Sequence, residues 1–450
     1  MTVLTVLTVI VVIYGVLTPK GYGRALALGG ATPAGAAVAA GTTAVPTFYA
    51  VGLGTVVALG MRLLGTGASA PRPRLRLPPG VSLLVAFLAW SVLVTILAPQ
   101  IFAGTAVLTP AGAGTLRAGV VTSSNVAQVA YLVIGVCVVV FLARSRHTGP
   151  EIIGLAVGAT VVLSLWRYVG VAFPSGVFDN SPSFAFIETA PGGGERFRGI
   201  LSEPSALAAS CLVATAYMLP RAAQVRGWRR AGALAVAGIA AYLGTISTSA
   251  TFVVAAVVVA AMAGSVFLVA FSLRRTRVSA VAALGVCAAG LAALAVVPGV
   301  AAFVNSTVEE KVTSSSFGER SGANTASYQT FLDTFGVGTG LGANRASSFL
   351  PGLLSTTGLI GTLLFAAAVI TLLLRSLPDR RYLPVIWALL AMLVLKIVAG
   401  PDLSDSSGVL WMSLGLLSRA ALQVESRRRN AARTGPEATT PATTDRAPAP

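Results

Sequence analysis

The chain has 450 residues, of which 55% are hydrophobic and only 10% charged, with a mean hydropathy of +0.82. A water-soluble fold carries about a quarter of its residues as charge, so these values exclude a soluble enzyme or solvated binding domain and set lipid against most of the surface. The net charge of +17 comes from basic residues clustered between apolar runs, the pattern of loops on one side of a membrane and not of a nucleic-acid surface.

In chain order, apolar runs predict transmembrane segments at 3 to 16, 24 to 42, 46 to 64, 79 to 97, 126 to 143, 152 to 172, 203 to 220, 231 to 246, 249 to 272, 278 to 299, 353 to 374, 382 to 399 and 406 to 419. The longer ones, at 1.5 Å per residue, cover a hydrocarbon layer of about 30 Å. The first, Val3 to Val16, lacks a preceding basic residue and a small-residue cleavage site, and is expected to be a retained helix. The second is Gly-rich and interrupted by Pro33. The expected fold class is all-α: a polytopic bundle of 12 or 13 transmembrane helices over residues 1–425, including loops 173–202 and 300–352, with a disordered tail at 426–450.

Seven basic clusters occupy alternate connections: Lys20 and Arg24; Arg62 to Arg76; Arg144 and Arg146; Arg221 to Arg230; Arg274 to Arg277; Arg375 to Arg381; and Arg427 to Arg429. With 13 helices all fall on one side, which the positive-inside rule assigns to the cytoplasm together with the C-terminus. The long connections near 98–125, 173–202 and 300–352 lie opposite, where a substrate can be handled. Only three lysines occur, Lys20, Lys311 and Lys396, beside abundant Ala, Gly and Val. This usage is associated with GC-rich bacterial genomes and suggests a bacterial plasma membrane. Cys137, Cys211 and Cys287 lie in apolar runs and read as small hydrophobes.

Two stretches in these connections carry chemistry. Around residue 190 the chain reads P-G-G-G-E-R-F-R-G-I-L-S-E-P-S. Ser202 is a predicted N-cap, Pro204 suits a first helical turn, and Glu203 complements the helix dipole. A capped helix does not explain Arg196 and Arg198 on the side where basic residues are scarce. Further on, S-S-S-F-G-E-R-S-G-A-N-T-A-S-Y-Q-T-F predicts a short helix over 321–331, followed by G-V-G-T-G-L-G-A-N-R. Gly338, Gly340 and Gly342 give a run whose backbone donors can approach an anion or a sugar, with Asn344 beside them and Arg320 and Arg345 flanking it. Arg167 interrupts an apolar helix in W-R-Y and needs a partner, a wet cleft or snorkelling to the headgroups. Lys396, Asp402 and Asp405 sit at another edge on the same side. No carboxylate and histidine cluster suggests a metal, and no cofactor is expected.

The R-x-R-G-x-x-S-E-P-S element from Arg196, the later arginines, the G-x-G-x-G run and L-x-x-x-G-L-I-G ending at Gly361 resemble the bacterial O-antigen ligase and polysaccharide polymerase superfamily, and within it a surface polysaccharide or exopolysaccharide polymerase. The resemblance implies a GT-C-like membrane glycosyltransferase that polymerises oligosaccharide repeats carried on polyprenyl diphosphate by inverting, metal-independent transfer at the outer face. It implies diphosphate binding by Arg198, Arg320 and Arg345, to which Arg196 and Arg167 are candidate additions. Glu203 is the candidate base, or alternatively orients an arginine. Guanidinium groups suit a departing diphosphate because they offer fixed bidentate donors without losing a proton. Expected partners are the lipid-linked oligosaccharide, membrane lipids, a flippase and a chain-length regulator, with no nucleic acid. Ligases of the superfamily carry a histidine in the last large loop. Here the only histidine, His147, lies in R-S-R-H-T on the opposite side, which favours a polymerase over a ligase to another acceptor. A lipid or polysaccharide transporter is the alternative of a different class.

Overall fold

A computed structural model describes residues 2–18, 21–41, 43–64, 77–109, 112–145, 147–189, 195–247, 250–273, 315–400 and 402–433. The expected segment 278–299 with Cys287, the first part of the loop at 300–314, the arginines Arg72 to Arg76 and Arg274 to Arg277, Lys20, Arg146 and the tail from 434 lie outside the described residues.

The chain is a polytopic, largely helical membrane protein. Among the described residues six helical stretches are long and apolar enough to cross a bilayer: α4 (Val81–Ile101), α5 (Ser123–Arg144), α6 (Glu151–Val169), α8 (Pro204–Gln224), α12 (Phe349–Ser376) and Arg380–Val398, which includes α13 (Leu383–Val398). Apolar but shorter stretches occur in α1 (Val3–Leu17), in α3 (Thr47–Leu64) and in α10 (Ala250–Leu273). The remaining helices are α2 (Tyr22–Gly30), α7 (Ser175–Phe178), α9 (Trp228–Ile246), α11 (Ser315–Asp333) and α14 (Val409–Arg433).

The expected span at 24 to 42 is not a helix of that length. Helix α2 stops at Gly30, and Ala36–Ala40 (β1) pairs antiparallel with Thr43–Pro46 (β2). Its glycines and Pro33 remove the propensity a spanning helix needs. A second small hairpin joins Ala106–Thr109 (β3) to Gly112–Thr115 (β4). These ribbons are minor additions to a helical bundle.

Helix α14 forms the centre. Every residue from Gly408 to Ser418 is buried, and the helix packs on α5, α12, α13 and α6. On one flank α4 packs against α5 and α12, and on the other α8 packs against α6, α9 and α13. Helix α14 continues to Arg433, past the boundary expected at 425. At one end of the bundle Gln224 donates to the Arg380 carbonyl at 2.6 Å, and Arg427 approaches Asp379 at 3.7 Å. A cavity at that end includes Arg375 and Arg429. The candidate residues gather at the other end.

There, local chemistry sets the helix starts. Helix α5 opens with a capping box: Thr122 Oγ1 accepts from Asn125 N–H, and Asn125 Oδ1 accepts from Thr122 N–H at 2.7 Å. Helix α14 is capped by Asp405, whose Oδ2 accepts from Leu410 N–H at 2.7 Å and whose Oδ1 accepts from Ser407. Helix α6 ends on Gly170 in the left-handed region.

Candidate functional site

Helix α8 begins one residue later than its expected cap. Glu203 is extended at the N-cap and Pro204 is the first helical residue, with its fixed φ suited to that position. Ser202 instead offers its backbone carbonyl to Ile187 N–H at 3.0 Å. The Glu203 side chain makes no capping bond. It accepts from Ser205 Oγ at 2.7 Å and faces a cavity of about 500 Å³.

That cavity gathers residues that are far apart in the chain. Arg320 from α11, Arg345 from the turn before α12, Glu203, Lys396 from the last turn of α13 and Asp405 all line it. Arg320 and Arg345 are exposed and form no ion pair among the described residues. Its wall also includes Val157, Ala209, Val213, Met392 and Leu395. Along α8 the lining runs from Glu203 to Val213, a length of about 15 Å at 1.5 Å per residue. A cavity lined by cations, an acid and apolar side chains suits an amphipathic anion, with a charged head among the arginines and a hydrocarbon chain against the apolar residues.

Arg198 and Arg167 stand elsewhere, in an ion-pair cluster that does not line the cavity. Arg198 is only 3% exposed. It donates to Asp179 Oδ1 at 3.0 Å and Oδ2 at 2.6 Å, to Glu188 Oε1 at 2.8 Å and to the Leu201 carbonyl at 2.8 Å. Arg167 donates to Asp179 Oδ2 at 2.8 Å and to the same Glu188 oxygen at 2.8 Å. Phe186 lies under the Arg198 guanidinium and Phe173 under that of Arg167. Burial alone would raise the Asp179 carboxyl, but hydrogen bonds from Arg198 and Arg167 outweigh it and hold the group below the ordinary carboxylate range. For Arg198, burial opposes the charge, and Asp179 and Glu188 more than restore it. Two arginines and two carboxylates thus neutralise one another, tying the end of α6 and α7 to the loop that leads into α8. Arg196 joins this loop through its backbone, donating to the Glu188 carbonyl at 2.7 Å, while its guanidinium reaches the Ser247 carbonyl at 3.4 Å. The preceding stretch 190–194 lies outside the described residues.

The glycine run also differs from the flexible ligand loop that its composition suggests. Helix α12 breaks at Gly358, whose φ is 68° and ψ is −172°, and the run packs into that break. Thr339 N–H donates to the Ser355 carbonyl at 2.8 Å, Gly340 N–H to Thr356 at 2.9 Å, and Leu359 N–H to Gly336 at 2.9 Å. Trp90 Nε1 serves the Thr357 carbonyl at 2.8 Å, and Thr334 Oγ1 accepts from Gly338 N–H. A broken helix inside a bilayer must have its freed backbone groups satisfied by protein or water, and here the chain itself does so. Glycine is required by proximity: a Cβ on Gly340 would sit 2.6 Å from Thr95 Cα, and one on Gly342 would sit 2.6 Å from the Ser124 carbonyl oxygen. Both have positive φ. Asn344 is likewise internal: its Nδ2 donates to Ser327 and Ser355 at 3.0 Å, and its Oδ1 accepts from Leu108 N–H at 2.8 Å. Gly338, Gly340, Gly342 and Asn344 therefore fix the turn that presents Arg345, whose backbone N–H donates to the Leu108 carbonyl.

Sequence reasoning did not pair Asp179 and Glu188 with the arginines. A signal was available: the chain has only 15 acidic residues, and these two share a connection with Arg196 and Arg198. Among the described residues no group of three or more His, Cys, Asp or Glu is placed to hold a metal ion. His147 is exposed and does not line the cavity. Compared with known proteins, the chain matches no protein-family model and no curated protein at a significant level.

Proposed function

We propose that this protein is a membrane glycosyltransferase that polymerises oligosaccharide repeats carried on polyprenyl diphosphate, working without a metal or other cofactor at the outer face of a bacterial plasma membrane, with its C-terminus in the cytoplasm. The observation that carries the reading is the convergence of Glu203, Arg320 and Arg345, from three separate segments, on one cavity whose lining also includes apolar side chains. The motif resemblance around Arg198, Glu203 and the later loop supports the same chemistry.

In this reading a hydroxyl of the acceptor repeat attacks the anomeric carbon of the lipid-linked donor glycan from the face opposite the diphosphate. The new carbon–oxygen bond forms as the bond to diphosphate breaks, inverting the centre. The hydroxyl proton passes to the Glu203 carboxylate, which Ser205 orients through one oxygen. Negative charge grows on the departing diphosphate, and Arg320 and Arg345 meet it with charge-assisted hydrogen bonds. Polyprenyl diphosphate leaves with its chain along the apolar wall. Arg198, Arg167 and Arg196 serve as positioning residues that hold the loop before Glu203. A flippase would supply the substrate, and a chain-length regulator would act on the product.

The test is incubation of the purified protein in lipid with a polyprenyl-diphosphate-linked repeat and mass analysis of the products. A ladder spaced by one repeat with released polyprenyl diphosphate is expected. Single transfer to a non-polyprenyl acceptor would replace the polymerase reading with a ligase. Substrate movement across vesicles without bond formation would replace it with a transporter.

A further inference from the structure

Lys396 is the only lysine among the described residues. It is 8% exposed, in the last turn of α13 on the cavity wall. Its Nζ donates to the Asp402 backbone carbonyl at 2.7 Å and lies 5.6 Å from the centre of the Phe349 ring. An ammonium has three donors, and only this hydrogen bond from Nζ is found among the described residues. No carboxylate pairs with it there. Asp405 shares the cavity wall, but its two oxygens are engaged by Ser407 and by Leu410 N–H in capping α14. Burial opposes its charge, and Asp405 and Asp402 favour that charge less strongly, through space and without pairing with it.

A buried cation with no ion pair is costly, more so at the edge of a bilayer. Holding the Asp402 carbonyl does not require it, because a neutral donor would suffice. The charge therefore makes physical sense when an anion completes the site. We propose that Lys396 is an anion anchor, and that its counter-charge is the phosphate head of an amphipathic lipid whose chain runs along Val213, Met392 and Leu395. This rests on the reading of the cavity as the substrate site and deepens it by naming a third cation, one buried where Arg320 and Arg345 are exposed.

The experiment measures thermal stability and ligand affinity of the purified protein in detergent, using geranylgeranyl diphosphate, geranylgeraniol and inorganic pyrophosphate as probes. It compares the unsubstituted protein with Lys396→Met and Lys396→Gln. Removing a buried charge that lacks an ion pair should leave the unliganded melting temperature equal or higher, while affinity for geranylgeranyl diphosphate falls about tenfold or more. Geranylgeraniol binding should not respond, and pyrophosphate should bind more weakly than the lipid. Lower unliganded stability in both variants, or failure of both to fold, would make Lys396 a structural tie and overturn the proposal. Unchanged affinity for geranylgeranyl diphosphate would overturn it as well, and equal affinity for pyrophosphate would overturn its lipid part. No glycan donor or acceptor is present, so this outcome is independent of whether the protein polymerises.

Discussion

Arg198 and Arg320 look alike in the sequence, each an arginine in a polar connection with a glutamate within three residues before it, yet they occupy opposite electrostatic situations. Arg198 is buried and held by Asp179 and Glu188, with Arg167 completing a neutral cluster. Arg320 is exposed on a cavity wall and, like Arg345, forms no ion pair among the described residues. A guanidinium satisfied within the protein has little attraction left for a ligand, whereas one that lines a cavity without an ion pair retains it. The first kind organises a loop and the second is available to bind an anion.

This contrast is open to direct attack. The largest effect should come from Arg320→Ala and Arg345→Ala: each is expected to lower the polymerisation rate about 1000-fold, near the upper end for loss of one transition-state donor, while the melting temperature stays unchanged. Normal turnover in both variants would remove them as diphosphate ligands.

Arg198→Ala should act chiefly on the fold, destabilising it by about 3 kcal/mol because Asp179 is left largely buried without its closest partner. Thermal denaturation in detergent measures this loss; a variant as stable as the parent but inactive would return Arg198 to the ligand-binding group.

The smallest effect is on pH dependence. Asp179 titrates below its unfolded value of about 3.9, so its ionised form stabilises the fold above that pH and the contribution is lost as pH falls through the folded value. Asp179→Asn should therefore flatten the acid side of the stability profile below about pH 4, and an unchanged profile would show that the cluster contributes nothing to acid stability.

What could be read in advance follows from the range of each interaction. A bilayer-spanning helix is a local property, visible as a run of some 20 apolar residues, so the sequence located α4, α5, α6, α8, α12 and α13. Where glycine and proline diluted that signal, at residues 24 to 42, it predicted a span in place of a short helix and a hairpin. The motif residues Glu203, Arg320 and Arg345 were likewise visible as residue types in loops, and Pro204 as a helix start.

Pairing was decided only by the tertiary structure. Nothing local brings Asp179 to both Arg167 and Arg198, seats the glycine run in the break of α12, or leaves Lys396 on the cavity wall without an ion pair among the described residues. Local composition set which segments prefer lipid and which residues can carry charge. Whether each charge is neutralised by the protein or left for a ligand depends on contacts between segments far apart in the chain, because electrostatic energy is set by distance and burial in space.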